Sequence, residues 1–333
     1  MGIKSLCQTL KKNAPNSIHH ENLYKLSGKK VAVDASLIIY QQLLNTPNGN
    51  MFRNKDGKIT NHVTGLFYKI MNYISLNIEL VFIFDGKPPD NKNDCINERK
   101  EKSMKAKEQS KTATTEEEKL KLERDSIRLT GEMINDVKHL LNLLGISYIH
   151  PEVGEGEAFA SELCRMGYVD YVLTEDMDTM AYGCPKLIRN CIDRSLKRKD
   201  VVSIFTYETI IQDMKLTEEQ FLHFCILCGC DYCPMIPKVG PVTALQLVKQ
   251  YNTIDEIIEE KKQYKYPENY RELFLNAKEN FYIFKDKIDL NQYTIHSSER
   301  NTDELYNYLT NYIEMNPKRV ENTFKKFHNN YKK

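Results

Sequence analysis

What this 333-residue chain lacks narrows the field first. It has no apolar run of about eighteen residues, so no membrane-spanning helix is expected. Its start is not charged-then-apolar, so no secretory signal is expected either. Met1-Gly2 opens the chain, but position 6 is Leu where the myristoylation pattern wants Ser or Thr. The nine cysteines show no spacing of a secreted disulfide framework, which fits a reducing compartment. There is no Gly-x-x-x-x-Gly-Lys phosphate loop, so ATP is not expected, and Gly154-x-Gly156 is flanked by acids with no third glycine following. The eight histidines include no His-x-x-x-His pair, which disfavours a zinc hydrolase. No repeat is visible. An excess of either sign of charge is lacking as well, 47 basic residues facing 46 acidic ones for a net charge of +1.

What is present is acid in pairs. Glu155 and Glu157 lie two residues apart where a loop turns into a helix, and Asp176 and Asp178 repeat that spacing after the apolar run Tyr171-Val-Leu, which reads as a short buried strand. Mutually repelling carboxylates need a counter-charge, and oxygen ligands favour Mg²⁺ or Mn²⁺. The scarcity of net charge then changes meaning. If Asp34, Asp85, Glu155, Glu157, Asp176, Asp178 and Asp231 line a metal site, 47 basic residues face 39 other acidic ones, enough for a phosphate-binding surface.

Taken in order, residues 1–28 read as a helical lead-in. Lys29–Asp34 reads as a strand ending in acid, 35–44 as a helix, 45–60 as a polar loop and 62–76 as a helix. Leu80–Asp85 is the clearest strand, stopped by Gly86-Lys-Pro-Pro89. Residues 90–125 are Lys/Glu-rich and almost free of large apolar side chains, so they read as a solvated helical excursion. Within it Arg99, Lys100, Lys102, Lys105 and Lys107 bunch together, and Lys92 and Arg99 are about two helical turns apart. An amphipathic helix over 127–144, a strand over 146–149, a helix over 157–166 and a strand over 171–173 follow. Leu187–Cys191 and Val201–Phe205 look like edge strands. Helices over 218–228 and 242–251 are joined by Pro237-Lys-Val-Gly-Pro241, and 255–333 read as charged helical segments. Val242–Val248 reads first as helix core. Alternating strands and helices predict an α/β fold with a mainly parallel central sheet flanked by helices. Four apolar runs end near Asp34, Asp85, Glu155 and Asp176, and ligands of such sheets sit beyond the carboxyl ends of strands.

At these residues the chain resembles the flap endonucleases, of the structure-specific 5′-nuclease superfamily. The resemblance rests on Met1-Gly-Ile-Lys-Ser-Leu6, Val31-Ala-Val-Asp-Ala-Ser36, Val81-Phe-Ile-Phe-Asp-Gly-Lys-Pro-Pro89, Gly154-Glu-Gly-Glu-Ala158, Thr174-Glu-Asp-Met-Asp178 and Cys225–Cys233, in family order over about residues 1–255. It implies an N-terminal nuclease region (1–105), a helical arch (90–130), an internal nuclease region (140–230), a helix–hairpin–helix-type duplex-binding element (218–255) and a C-terminal helical region (256–333). It further implies that Asp34, Asp85, Glu155 and Glu157 hold one divalent ion, and Asp176, Asp178 and Asp231 the other. Lys92 and Arg99 would meet the scissile phosphate, and Tyr40 would stack on a base near the cut. Gly2 would be the amino terminus after loss of Met1. DNA contacts are implied for Gly2, Tyr40, Lys69, Glu155, Gly229, Asp231, Lys238 and Gly240, and a K⁺ ion on the carbonyls of the 237–241 hairpin.

Some residues depart from that pattern. Lys238 replaces the first glycine of the hairpin, and Val242 and Thr243 follow it in place of basic residues. Asn45-Thr-Pro47 lacks a basic residue, while Lys69 keeps a positive charge in the next helix. Glu152-Val-Gly154 precedes the first acidic pair in place of a Pro-Ser type. The chain ends soon after Phe324-Lys-Lys-Phe327 without a clamp-binding tail, so recruitment by a sliding clamp is not expected. Cys225, Cys228, Cys230 and Cys233 have the look of a metal cage, but they share a helix and a turn with Asp231 and read as buried thiols.

The expected activity is a Mg²⁺-dependent 5′ flap endonuclease and 5′→3′ exonuclease of replication and repair, a monomer acting on branched DNA and leaving a 5′-phosphate. A sister nuclease preferring nicks, gaps or four-way junctions, and a junction-binding protein without turnover, are the alternatives. The resemblance implies nuclear work. Lys197-Arg-Lys199 is too short to argue import, and a cytoplasmic site stays open.

Overall fold

The computed structural model describes residues 2–3, 5–45, 51–89, 92–193, 195–196 and 200–330, with backbone alone at 93–95 and 327–330. Met1 and Lys4 of the opening motif, Thr46-Pro47 and Lys197–Lys199 lie outside the described residues. Among the described residues eight strands occur, in chain order: β1 (Ile18–Asn22), β2 (Lys30–Asp34), β3 (Glu79–Ile83), β4 (Ser147–Ile149), β5 (Tyr171–Leu173), β6 (Lys186–Asn190), β7 (Val201–Thr206) and β8 (Ile295–His296). The chain divides into two compact units. The first takes Met1–Lys25, Asp85–Cys95 and Pro151–Gln292, the second Leu26–Phe84, Ile96–His150 and Tyr293–Lys333.

In the second unit β2 pairs parallel with β3, and β3 parallel with β4. Val31, Ala32 and Val33 of β2 and Leu80–Ile83 of β3 are buried without polar alternation, as strands covered on both faces require. Helix Ala35–Leu44 starts directly after β2 because Asp34 caps it, its Oδ1 accepting from the Leu37 amide at 3.1 Å. Helix Asn61–Ser75 packs beside it. The amphipathic helix expected from residue 127 begins at Gly131 instead. Thr130 caps it, its hydroxyl accepting from Met133 N at 3.3 Å, and residues 127–129 stay outside. The Lys/Glu-rich excursion is helical over Asn93–Ser110 and Glu116–Ser126, and the latter buries no residue. Ser103 Oγ donates to Ser126 O at 2.7 Å and ties the two together. Strand β8, two residues long and exposed, pairs antiparallel with β4; no apolar run announced it.

In the first unit the order is β1-β7-β6-β5, with β5·β6 parallel and the other two pairs antiparallel. In this unit the parallel pair β5·β6 is thus extended on one side by the antiparallel strands β7 and β1, of which the sequence showed β7 but not β1. The helical lead-in expected over 1–28 is α-helical at Leu6–Asn13 and 3₁₀ at Pro15–Ser17 and Leu23–Leu26, with β1 between the two 3₁₀ turns. Its sequence, Ile-His-His-Glu-Asn, has no strand pattern of its own; pairing with β7 makes it one. For the same reason β6 and β7, expected at an edge, each have a neighbour on both sides. Further along, helix Glu218–Leu227 opens with a capping box between Thr217 and Gln220, and Gln220 Nε2 donates to Val248 O at 3.0 Å, linking it to helix Pro241–Gln250. Gly229, at φ +85, provides the left-handed residue that turns the chain out of the first helix toward Asp231.

Candidate functional site

Six of the seven acids named from the sequence lie in the first unit. Residues 85–87 run beside 152–154, with Gly86 N donating to Gly154 O (2.9 Å) and Lys87 N to Glu152 O (2.8 Å). That pairing brings Asp85 to the start of helix Gly156–Arg165, where its Oδ1 accepts from Gly156 N at 2.7 Å. Glu155 is the N-cap residue of that helix and Glu157 lies in its first turn, where unsatisfied amides favour negative charge. Three residues past β5 comes Asp176, whose Oδ1 accepts from Asp178 N at 3.1 Å, and Asp178 opens the short helix Asp178–Ala181.

Glu157, Asp176 and Asp178 converge: each offers a carboxylate oxygen, all within 4.8 Å of one another. Glu157 and Asp178 are buried. Burial raises the Asp178 pKa well above the ordinary aspartate value, and the charges of Asp176, Asp231 and Glu155 push it further, against the pull of one amide. That amide is Ile3 N, 2.6 Å from Asp178 Oδ1. Beside it Gly2, at φ +85, lies so close that an added β-carbon would sit 2.0 Å from Asp176 Oδ1. A cluster of hard, oxygen-only donors that repel one another, two of the three buried, fits a divalent cation. The tightest grouping crosses the two ligand sets expected, taking Glu157 from one and Asp176 and Asp178 from the other.

Glu155 is held differently. Its Oε1 accepts from Lys92 Nζ and from the Tyr232 hydroxyl, each at 2.5 Å. Lys92 Nζ also lies 3.3 Å from Asp231 Oδ2 and 5.8 Å from the Tyr232 ring centroid. Burial works against the Lys92 charge, but Glu155, Asp231 and Glu157 outweigh it and keep the amine protonated more firmly than an ordinary lysine. Tyr232 in turn meets the Tyr182 hydroxyl at 2.9 Å. Burial, then the Glu155 charge, raises the pKa of both phenols, so both keep their protons. Neither tyrosine was singled out from the sequence, where an aromatic beside an apolar helix reads as core.

The remaining expected residues are placed as follows. Asp34 belongs to the second unit, at the end of β2; so do Tyr40 on helix Ala35–Leu44, Lys69 on helix Asn61–Ser75 and Arg99, all three half-buried. There too Arg53, Lys107, Lys111, Lys121, Arg124 and Arg128 line a cavity of about 650 Å³, where part of the surplus positive charge gathers. In the first unit Lys238 is exposed and left-handed at φ 67, and Gly240 precedes helix Pro241–Gln250 without a side-chain cap. That helix buries Ala244, Leu247 and Val248 as core, while Val242 in its first turn is 67% exposed. The four clustered cysteines are thiols raised by burial, Cys228 and Cys233 to about 12. Among the described residues the three carboxylates above form the one grouping with metal-binding spacing.

Residues 1–106 match the XPG N-terminal domain and residues 145–231 the XPG I-region. Flap endonuclease 1 of Debaryomyces hansenii is 34% identical over 325 residues, 93% of this chain and 83% of the relative. That of Candida tropicalis is 38% identical over 290 residues, 83% of this chain and 77% of the relative. Among solved structures, flap endonuclease-1 from Methanococcus jannaschii superimposes with a TM-score of 0.70 at 25% identity, covering 99% of this chain and 98% of its own. The catalytic core of Rad2 in complex with DNA substrate has the same fold, with a TM-score of 0.70 at 22% identity over 98% of this chain and all of its own. Carrying both XPG regions and aligning over most of its length with these relatives, the chain belongs to the flap endonuclease family.

Proposed function

We propose that the chain is a divalent-metal-dependent, structure-specific 5′ flap endonuclease and 5′→3′ exonuclease acting on branched DNA in replication and repair, as a monomer and in the nucleus. The observation that carries this reading is the meeting of Glu157, Asp176 and Asp178 within 4.8 Å in a family of nucleases, with Glu155, Asp231 and Lys92 in salt-bridge contact alongside. By the family pattern Asp34, Asp85, Glu155 and Glu157 hold one ion and Asp176, Asp178 and Asp231 the other. Mg²⁺, with Mn²⁺ as substitute, would supply charge neutralisation and Lewis-acid activation of water for phosphodiester hydrolysis.

The chain's own groups complete the site. Lys92 brings an amine whose protonated form the neighbouring acids favour, available to a phosphate as charge grows in the transition state. Arg99 serves the same phosphate and Tyr40 stacks on the adjacent base. The carboxylates fix the cleaved bond so that the 5′-phosphate stays with the product. The exposed Lys238 and the uncapped first turn at Gly240 face duplex backbone, with K⁺ on the hairpin carbonyls. The basic residues around the Arg53–Arg128 cavity attract the single strand.

Rates on a double-flap, a nicked duplex and a four-way junction, each with Mg²⁺ and with EDTA, test the reading. Fast release of the flap with a 5′-phosphate, and none in EDTA, is expected. Preferred cleavage of the four-way junction would assign the sister activity, and tight binding without product would assign the binder.

A further inference from the structure

Beneath Glu155 runs a hydrogen-bonded chain that the proposed chemistry leaves unused. The Tyr232 hydroxyl donates to Glu155 Oε1, so its one proton is committed there and Tyr182 must donate to the Tyr232 oxygen. The chain therefore has one direction: Tyr182 to Tyr232 to Glu155. Its two tyrosines are tied to other acids of the site. Tyr232 directly follows Asp231, and Tyr182 N donates to the carbonyl of Asp178 at 3.1 Å. Both rings pack on Phe281, at 4.9 Å from Tyr182 and 5.4 Å from Tyr232 between centroids. Two donors, Lys92 and Tyr232, meet on Oε1 and leave Oε2 of Glu155 for a further ligand.

We propose that Tyr232 is a positioning residue for flap cleavage: its hydroxyl pins Glu155 Oε1 so that Oε2 faces the divalent cation, and Tyr182 locks it in that pose. The inference rests on the reading of these acids as the metal centre of a flap nuclease. It differs from a satisfied core tyrosine in what its removal changes. A core role shows as lost stability alone; a positioning role shows in the affinity for the ion.

The test measures Mn²⁺ binding to the full chain without DNA, by electron paramagnetic resonance, beside flap cleavage over a range of Mg²⁺ concentrations. Tyr232→Phe keeps the ring against Phe281. It should weaken Mn²⁺ binding by about 10- to 100-fold and raise the Mg²⁺ needed for half-maximal cleavage by the same factor, the rate at saturating Mg²⁺ staying within about 5-fold. Tyr182→Phe should shift both in the same direction by a smaller factor, about 3- to 10-fold. Unchanged Mn²⁺ affinity in a folded Tyr232→Phe overturns the inference alone. Should that variant not fold, Tyr182→Phe decides, and wild-type affinity in it overturns the inference. If the wild-type chain binds no Mn²⁺ and cuts no flap, the metal-centre reading falls and takes the inference with it.

Discussion

Gly2 and Asp176 are packed so tightly that a β-carbon at Gly2 would displace the carboxylate: the added atom would stand 2.0 Å from one Asp176 oxygen, and 2.8 Å from one of Asp178. The start of the chain is therefore a wall of the acid cluster, and Ile3 N beside it is a donor to Asp178.

Gly2→Ala should push Asp176 out of the cluster and also strain a backbone at φ +85. A loss of about 1 kcal/mol or more in stability is expected from the backbone. Mn²⁺ binding should weaken at least about tenfold, as for other disturbed ligand sets. A binding isotherm and a thermal melt measure the two effects separately.

Lys92 forms ion pairs with both Glu155 and Asp231. Lys92→Met should slow cleavage at saturating Mg²⁺ by about 10²- to 10³-fold, the usual loss for one aimed charge. Flap-DNA affinity should change by only a few-fold, since one phosphate contact among several is removed. Single-turnover rates and a binding titration check both.

At Lys238 a side chain stands in the left-handed region at φ 67. Lys238→Gly should relieve strain of about 1 kcal/mol, partly offset by a freer unfolded chain. If the lysine touches duplex phosphate, the slope of log affinity against log salt should fall by about 1. An unchanged slope would remove Lys238 from the DNA surface.

His223 supplies a pH dependence whose sign is fixed by its surroundings. Burial lowers its pKa from 6.5 to about 4, Lys278 adds to this and Glu219 opposes it. The unfolded chain takes up the proton first, so the stabilisation is present above pH 6.5 and is lost as pH falls toward 4. Between pH 7 and 5 the loss amounts to about 2 kcal/mol. His223→Leu, which keeps the apolar contact with Phe274, should flatten that part of the profile in denaturant unfolding.

Where sequence and structure agree, the local signal was strong and agreed with burial. The runs feeding Asp34 and Asp85 are wholly apolar and become buried parallel strands, and helix Ala35–Leu44 begins where its capping Asp34 permits. Paired acids at a fixed spacing made the cluster of Glu157, Asp176 and Asp178 legible. Strands β1 and β8 were not legible, because their residues are polar and their strand character comes from distant partners, β7 and β4. Tyr182 and Tyr232 were missed for a related reason: their hydrogen bonds to each other and to Glu155 join positions 50 and 77 residues apart, and spacing carries no trace of that.

Asp178→Asn probes the cluster in two states. Without metal it removes a buried, repelled charge, so the variant should melt higher in EDTA, by about 2–4 °C for each 1 kcal/mol of relief. With Mg²⁺ the order should reverse, because the wild-type chain gains stability from the ion and the variant gains less.

The most direct measurement is the single-turnover rate at which Asp178→Asn cuts a 5′ flap in saturating Mg²⁺. A fall of at least about 10³-fold, with the flap still bound, is the expected result if these acids hold the ions that cleavage needs. Cleavage at the wild-type rate would contradict that account.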